Sequence, residues 1–211
     1  MQGLLQSEEM VQWRPSFRQF YPQEDVDQTV LFEHFIERGL ALPASNFFRG
    51  LLCHWGIQVH HMNPNSIVHL SIFVQFCEAF LGIEPHFDLF CYFFLLRQQP
   101  SEGRHYLVGR AGIQFKKGKG KEYIYYSLPT NHSGWRSLWF YIGNHSPALP
   151  ERTLGKAVHR PEWNERLNPN HMMQVTELLQ LIKEHKDAGL TGVSVLATMY
   201  KRRIMPLQKR C

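Results

Sequence analysis

One segment constrains the fold more than any other: an apolar stretch that begins at Asn63 and ends at Gly82. Asn63 followed by Pro64 is typical of a helix N-terminus, because the asparagine side chain caps the first turn and proline tolerates the first helical position. Apolar residues recur at steps of three and four along the segment, at Ile67, Leu70, Val74, Cys77 and Leu81. Ile72, Phe73, Phe76 and Phe80 make it apolar around most of its circumference, so we expect it to lie in the middle of the fold.

Further helices are predicted on both sides of this segment. Asp27 is a plausible N-cap for a helix over 27–38, a second helix is expected over 44–55, and a third begins near Pro85. Together they make 27–97 a helical region. Near the C-terminus the periodicity predicts a helical hairpin over 169–204. Thr191 is the expected cap of its second helix, which would bury Val193, Leu196, Ala197, Tyr200 and Ile204.

Between these helical regions, residues 107–143 have the features of strands. The runs 113–116, 123–128 and 138–142 are short, rich in aromatic and β-branched residues, and separated by glycine and proline. We expect a small antiparallel sheet with a lysine cluster on its first hairpin. The sequence thus predicts the α+β class, mainly helical, with this sheet inserted in the middle and the helical hairpin at the C-terminus.

The predicted domain layout has three parts. Residues 1–24 form an arm that partly docks, 25–205 form one compact domain that includes an irregular proline-containing segment over 144–168, and 206–211 form a basic tail. With 211 residues and 44% hydrophobic residues, the chain can bury a sizeable core and is unlike a disordered protein.

Secretion and membrane insertion are not expected. The four cysteines have no regular spacing, and the N-terminus lacks a basic start that leads into an apolar run. The most apolar window, 87–96, is about half the length of a membrane-spanning helix. We therefore expect an intracellular protein, in the nucleus or the cytoplasm, with no membrane partner.

The net charge of +5 is concentrated in two clusters. The nine candidate nucleic-acid-binding residues are Lys116, Lys117, Lys119, Lys121, Lys201, Arg202, Arg203, Lys209 and Arg210. Since nine cations exceed the net charge, the rest of the chain is net acidic, and basicity is a property of two patches. Nearby aromatic residues that could stack on bases are Tyr123, Tyr125, Tyr126 and Trp135. The sequence favours a simpler alternative, in which the lysines keep a hairpin soluble and the aromatic residues pack the sheet.

Several sequence strings together resemble the plant domain family called gypsy-type transposase. They are LPASNFFRGLL (42–52), MNPNSIVHLSIFVQFCEAFLGIEPHF (62–87), YFFLLR (92–97), GWRSLWFYIGN (134–144) and RRIMPLQKR (202–210), and the resemblance extends over 28–210. It implies an origin in a retrotransposon. It supplies no catalytic residues that could be assigned to this chain.

No catalytic residues are predicted from the sequence. DNA transfer needs clustered carboxylates that hold two divalent metals, but there is no Asp between Asp88 and Asp187. Among the glutamates in this interval, Glu102, Glu122, Glu151, Glu162 and Glu165 show no spacing that suggests a shared metal. We therefore expect no enzymatic activity.

No cofactor, metal or small-molecule substrate is expected either. Cysteines and histidines crowd the stretch 53–91 without the paired spacing of zinc ligands. The Lys-Lys-Gly-Lys-Gly-Lys string over 116–121 lacks the spacing of a phosphate-binding loop.

Three functional hypotheses follow. The leading one is a non-catalytic interaction or assembly domain that self-associates and holds nucleic acid through its basic patches. The second is a DNA-binding or DNA-processing transposase-type protein, for which the two helices over 169–204 would be a helix-turn-helix, although most such helical hairpins do not read DNA. The third is a relic open reading frame without a selected activity.

Overall fold

The computed structural model describes residues 12–16, 19, 22–23, 25–99, 108–128, 133–145, 149 and 169–209. In chain order its elements are β1 (Trp13–Pro15), β2 (Gln28–Phe32), α1 (Glu33–Glu37), α2 (Asn46–Trp55), α3 (Pro64–Phe76), α4 (Phe87–Phe93), β3 (Phe94–Gln98), β4 (Ala111–Phe115), α5 (Lys119–Glu122), β5 (Trp139–Gly143), α6 (Pro169–Asp187), α7 (Gly192–Met199) and α8 (Met205–Gln208). The predicted α+β class is confirmed. No helix in the described ranges is long and apolar enough to cross a membrane.

The apolar helix predicted over 63–82 is confirmed and lies at the centre of the fold. Asn63 Oδ1 accepts a hydrogen bond from the Ser66 backbone N–H at 2.9 Å, as a helix cap does. α3 continues as a π-helical segment over Cys77–Leu81, and Gly82 ends it in the left-handed conformation at φ 67°. Nearly every side chain of α3 is buried, because α7 and β4 pack against it and Phe90 of α4 lies edge-on to Phe73.

Two antiparallel sheets flank the helices. In the first, β5 lies between β1 and β2, and Tyr141 stands opposite Arg14 on one side and Val30 on the other. In the second, β3 pairs with β4, with Leu96 opposite Ile113. β1 lies in the predicted arm over 1–24, so the described part of that arm is tied to a strand of the core. The predicted limits of the compact domain at residues 25 and 205 stay predictions.

The helix predicted over 27–38 is wrong in its first half. Residues 28–32 form β2, and only Glu33–Glu37 is helical, so Asp27 is not a helix cap. The side chains of residues 29–32 are all buried, with both β2 faces covered, and the backbone pairs with β5. A short, continuously apolar run of this kind fits a buried strand as well as a helix, and periodicity does not separate the two.

The hairpin predicted over 113–128 is also wrong. β4 pairs with β3, whose residues 94–98 fall partly within the predicted helical region, and residues 123–128 are in no strand. Tyr123, Ile124 and Tyr126 are buried without sheet pairing, because they pack into the aromatic core under α3 and α4. The strands predicted at 113–116 and 138–142 are confirmed as β4 and β5, with small shifts at their ends.

The predicted buried face of the last helix needs correction. Thr191 caps α7 as expected, its Oγ1 accepting from the Ser194 N–H at 3.2 Å. However, Val193 is 75% exposed and Tyr200 is 46% exposed, while Val195 and Met199 are buried. α7 has this orientation because Gly192 meets the core. Val195 and Met199 follow Gly192 by three and seven positions, so they lie on the same face of the helix. The irregular segment predicted over 144–168 lies largely outside the described residues.

Candidate nucleic-acid interface

The first lysine cluster lies on a turn and a one-turn helix. β4 ends at Phe115, Gly118 makes the turn at φ 81°, and α5 follows directly. Two of the four lysines are on the turn, and the other two are on α5 beside α4. The cluster therefore meets solvent on one side and the aromatic core on the other.

Lys119 is held by internal partners. Its ammonium lies 2.8 Å from both carboxylate oxygens of Glu122 and 4.0 Å from the centre of the Tyr92 ring, and it donates a hydrogen bond to the Tyr92 hydroxyl at 2.5 Å. The Tyr92 hydroxyl donates in turn to Glu122 at 2.7 Å. The hydrogen bond from Lys119 lowers the pKa of the Glu122 carboxyl. Lys119 thus neutralises a neighbouring carboxylate and is not a free cation.

The other three lysines of this cluster differ in exposure. Lys116 is half-buried, and burial lowers the pKa of its ammonium. Lys117 and Lys121 are exposed, and neither takes part in an ion pair among the described residues. Lys117 and Lys121 are therefore the members of this cluster best placed to meet a polyanion.

Lys186, on the last turn of α6, adds a cation that the sequence did not predict. Its Nζ lies 2.6 Å from the carbonyl oxygen of Lys121 and 3.2 Å from that of Glu122, so it caps the C-terminal end of α5. A basic residue in the last turn of a helix is common, and no local pattern connects position 186 with position 121. The contact could not be read from the sequence.

The structure separates the four candidate stacking residues. Tyr123 is fully buried, Tyr126 and Trp135 are nearly so, and Tyr125 is 74% exposed. The Tyr126 hydroxyl lies 2.7 Å from Nδ1 of His69. Since three of the rings pack in the core, although not on a sheet as the simpler alternative had it, Tyr125 is the member of the set available to a partner.

The backbone of Tyr125 is in close contact with the start of α7. A Cβ atom added to Gly192 would lie 2.0 Å from the Tyr125 carbonyl oxygen and 3.3 Å from a side-chain carbon of Ile124. The exposed Val193 follows Gly192 directly. The exposed ring of Tyr125 therefore projects from a backbone that is packed against a helix.

The second basic cluster is also only partly free. Arg203 donates through Nη2 to Glu78 Oε2 at 2.7 Å and through Nε to Gln75 Oε1 at 3.2 Å. The remaining described members, Lys201, Arg202 and Lys209, are exposed and have no ion-pair partner within the described ranges. Arg210 lies outside the described residues.

α6 and α7 differ from a DNA-reading helix pair in two respects. α6 packs against α4 whereas α7 packs against α3, so each helix is anchored mainly to a different neighbour. The second helix, Gly192–Met199, contains no Arg, Lys, Asn or Gln, the residue types that make bidentate contacts to purine edges. The basic residues begin at Lys201, in the π-helical segment Tyr200–Ile204 that continues α7.

The cysteines and histidines of 53–91 are dispersed. Cys53 is exposed, His54 lies edge-on to Phe87, and His60 and His61 are buried side by side. No group of three or more His, Cys, Asp or Glu side chains among the described residues is arranged to hold a metal ion. The glutamates at 102, 151, 162 and 165 lie outside those residues.

Comparison with known proteins gives a family match for one segment of the chain. The model of the family described as "Putative gypsy type transposon" matches residues 30–98. No curated protein and no solved structure matches the chain. The matched segment runs from β2 through β3 and contains α3, whereas both basic clusters lie beyond it.

Proposed function

We propose that this chain is a non-catalytic interaction and assembly module of a plant retrotransposon-derived protein, because residues 30–98 match the model of the family described as "Putative gypsy type transposon". In this proposal the module binds nucleic acid electrostatically and associates with other copies of itself. It acts inside the cell, in the nucleus or the cytoplasm. The observation that carries the proposal is a set of exposed cations without ion-pair partners in the described ranges: Lys117, Lys121, Lys201, Arg202 and Lys209.

The matched segment supports a scaffold role. Its polar side chains are used to hold elements together: Ser66 Oγ accepts from the Ile113 N–H at 2.9 Å and lies 3.1 Å from the Ala111 carbonyl oxygen. His69 contacts the Tyr126 hydroxyl in the same way. These contacts join α3 to later parts of the chain. A segment whose polar groups serve packing suits a module that binds through its surface.

The distribution of charge supports a polyanionic partner. Several basic residues that the sequence would assign to binding, such as Lys119 and Arg203, are paired with Glu122 and Glu78. The five exposed cations form no ion pair in the described ranges, although acidic side chains are present elsewhere in the chain. Clustered cations without internal partners raise the local concentration of a polyanion and can neutralise its phosphates.

Nucleic-acid binding is tested by fluorescence anisotropy with labelled oligonucleotides over a series of salt concentrations. The log of the binding constant should fall linearly with log salt. Replacing Lys201, Arg202 and Lys209 together by Ala should reduce that slope by up to about 2 on a single strand. Arg97→Ala, which removes an exposed cation outside both clusters, is the matched control. Absence of binding at low salt would reject this part of the proposal.

Self-association is tested by size-exclusion chromatography with light scattering at several protein concentrations. Assembly predicts a mass that rises with concentration, whereas a constant monomer mass would reject it.

The non-catalytic part of the proposal has a separate test, in which supercoiled plasmid is incubated with the protein and Mg²⁺ or Mn²⁺. Metal-dependent nicking by pure protein would favour the DNA-processing alternative.

A further inference from the structure

Tyr125 is the exception in an otherwise buried aromatic segment. Its neighbours Tyr123, Ile124 and Tyr126 are buried, whereas 74% of Tyr125 is exposed. Among the described residues, the ring makes no contact with another aromatic ring. A large aromatic side chain with no packing role is available to a partner.

The backbone on both sides of this ring is anchored. A Cβ atom on Gly192 would overlap the Tyr125 carbonyl oxygen, so the chain is in close contact with α7. The next residue, Tyr126, bonds His69 of α3 at 2.7 Å. Because the backbone is already ordered, little conformational entropy is lost when a ligand contacts the ring.

Exposed cations lie close to the same ring along the chain. Lys121 precedes Tyr125 by four residues, so their Cα atoms are at most about 14 Å apart. The ammonium of Lys186 sits on the Lys121 carbonyl oxygen, and Lys117 is exposed on the preceding turn. The nearest carboxylate in sequence, Glu122, is already paired with Lys119. The charges without an ion-pair partner that precede Tyr125 along this segment are therefore positive.

An exposed aromatic face beside unpaired lysines is the combination that binds single strands, in which unpaired bases stack on the ring and phosphates meet the cations. A duplex offers no free base face to such a ring. We propose that Tyr125, Lys117 and Lys121 form a contact site for single-stranded nucleic acid. This inference rests on the proposed function and specifies both the site and the strandedness of the ligand.

The test measures binding of the full chain to a labelled single-stranded oligonucleotide and to its duplex, at one low salt concentration. Tyr125→Leu keeps an apolar side chain but removes the ring, and should weaken single-strand binding by about fivefold or more. Tyr125→Phe should retain binding. Both variants should melt like the native protein because the side chain is exposed. Lys117→Ala with Lys121→Ala should reduce the salt dependence.

The outcomes separate this inference from the proposed function. If Tyr125→Leu binds the single strand as the native protein does, the inference fails, while salt-dependent binding by the native protein still supports the proposed function. Equal weakening on single strand and duplex would also overturn the inference. If Tyr125→Leu loses self-association but keeps its affinity for the oligonucleotide, Tyr125 belongs to a contact between copies instead. If the native protein binds neither ligand, the inference falls together with the nucleic-acid part of the proposed function, and self-association is judged by its own test.

Discussion

Arg203 donates a hydrogen bond to the carboxylate of Glu78 at 2.7 Å and thereby joins two π-helical segments, one at the end of α3 and one after α7. The guanidinium also contacts Gln75, one turn earlier on α3. Its neighbour Arg202 is exposed and has no such partner in the described part of the chain. Two adjacent arginines that look equivalent in the sequence therefore have different tasks.

Arg203→Ala should destabilise the fold, whereas Arg202→Ala should not. The half-exposed ion pair with Glu78 contributes up to about 1 kcal/mol, and the hydrogen bond to Gln75 adds a similar amount. We expect a loss of roughly 1–2 kcal/mol for Arg203→Ala and within about 0.5 kcal/mol for Arg202→Ala in urea unfolding. Equal stabilities of the two variants would contradict the assignment.

Gly192→Ala should be strongly destabilising. A methyl group at this position would lie 2.0 Å from the Tyr125 carbonyl oxygen, and a backbone atom cannot move aside as a flexible side chain can. We expect a loss of about 2–3 kcal/mol from overpacking, measured by thermal or urea unfolding.

Gly50→Ala is the matched control for that substitution. Gly50 lies in the exposed part of α2, and nothing is within 4 Å of an added Cβ. Because alanine favours a helix over glycine, this variant should gain up to about 1 kcal/mol. A similar loss in both variants would show that the contact at Gly192 is not the cause.

Acid should destabilise the protein through His69. Burial lowers the pKa of His69 to about 4, from 6.5 in the unfolded chain. Between these two values the unfolded state binds more protons than the folded state, so stability falls as the pH drops from 6.5 to 4. The loss attributable to His69 is about 3 kcal/mol.

His69→Gln should remove that part of the pH dependence. The measurement compares the free energy of unfolding of the native protein and the variant at several pH values between 4 and 8. The two curves should converge toward low pH, since the variant has no imidazole to protonate. Parallel curves over this range would rule out His69 as the source.

The described cysteines should differ in their reactivity toward thiol reagents. Burial raises the pKa of both Cys77 and Cys91 to about 12, whereas Cys53 is exposed. Since the thiolate is the reactive species, Cys77 and the half-buried Cys91 should react orders of magnitude more slowly than an ordinary thiol at pH 8. Dithionitrobenzoate titration of Cys211→Ser should show one fast thiol, and Cys53→Ser in that background should abolish it.

Much of the helical framework could be predicted from the sequence. The cap at Asn63, the stop at Gly82 and the cap at Thr191 are all present as expected. The errors fall where an apolar run is short. Residues 28–32 form a strand and not a helix, because β5 supplies a pairing partner from more than a hundred positions away.

Prediction of the candidate interface was partial for a related reason. The two basic clusters are evident in the sequence, but Lys119 and Arg203 resemble their free neighbours until their partners are known. Tyr125 likewise resembles Tyr123 and Tyr126, although it alone of the three is exposed. Composition identifies which residues are candidates, and only packing shows which are available.

The sequence by itself determined the features that act over three or four residues: the helix caps, the glycine stops and the apolar circumference of α3. Those features depend on local backbone hydrogen bonds and side-chain direction, which neighbouring residues settle. The tertiary structure decided the partner of β4, the cap that Lys186 places on α5, and the pairing of Arg203 with a residue 125 positions away. These contacts depend on how distant segments pack around α3, and no local pattern encodes that packing.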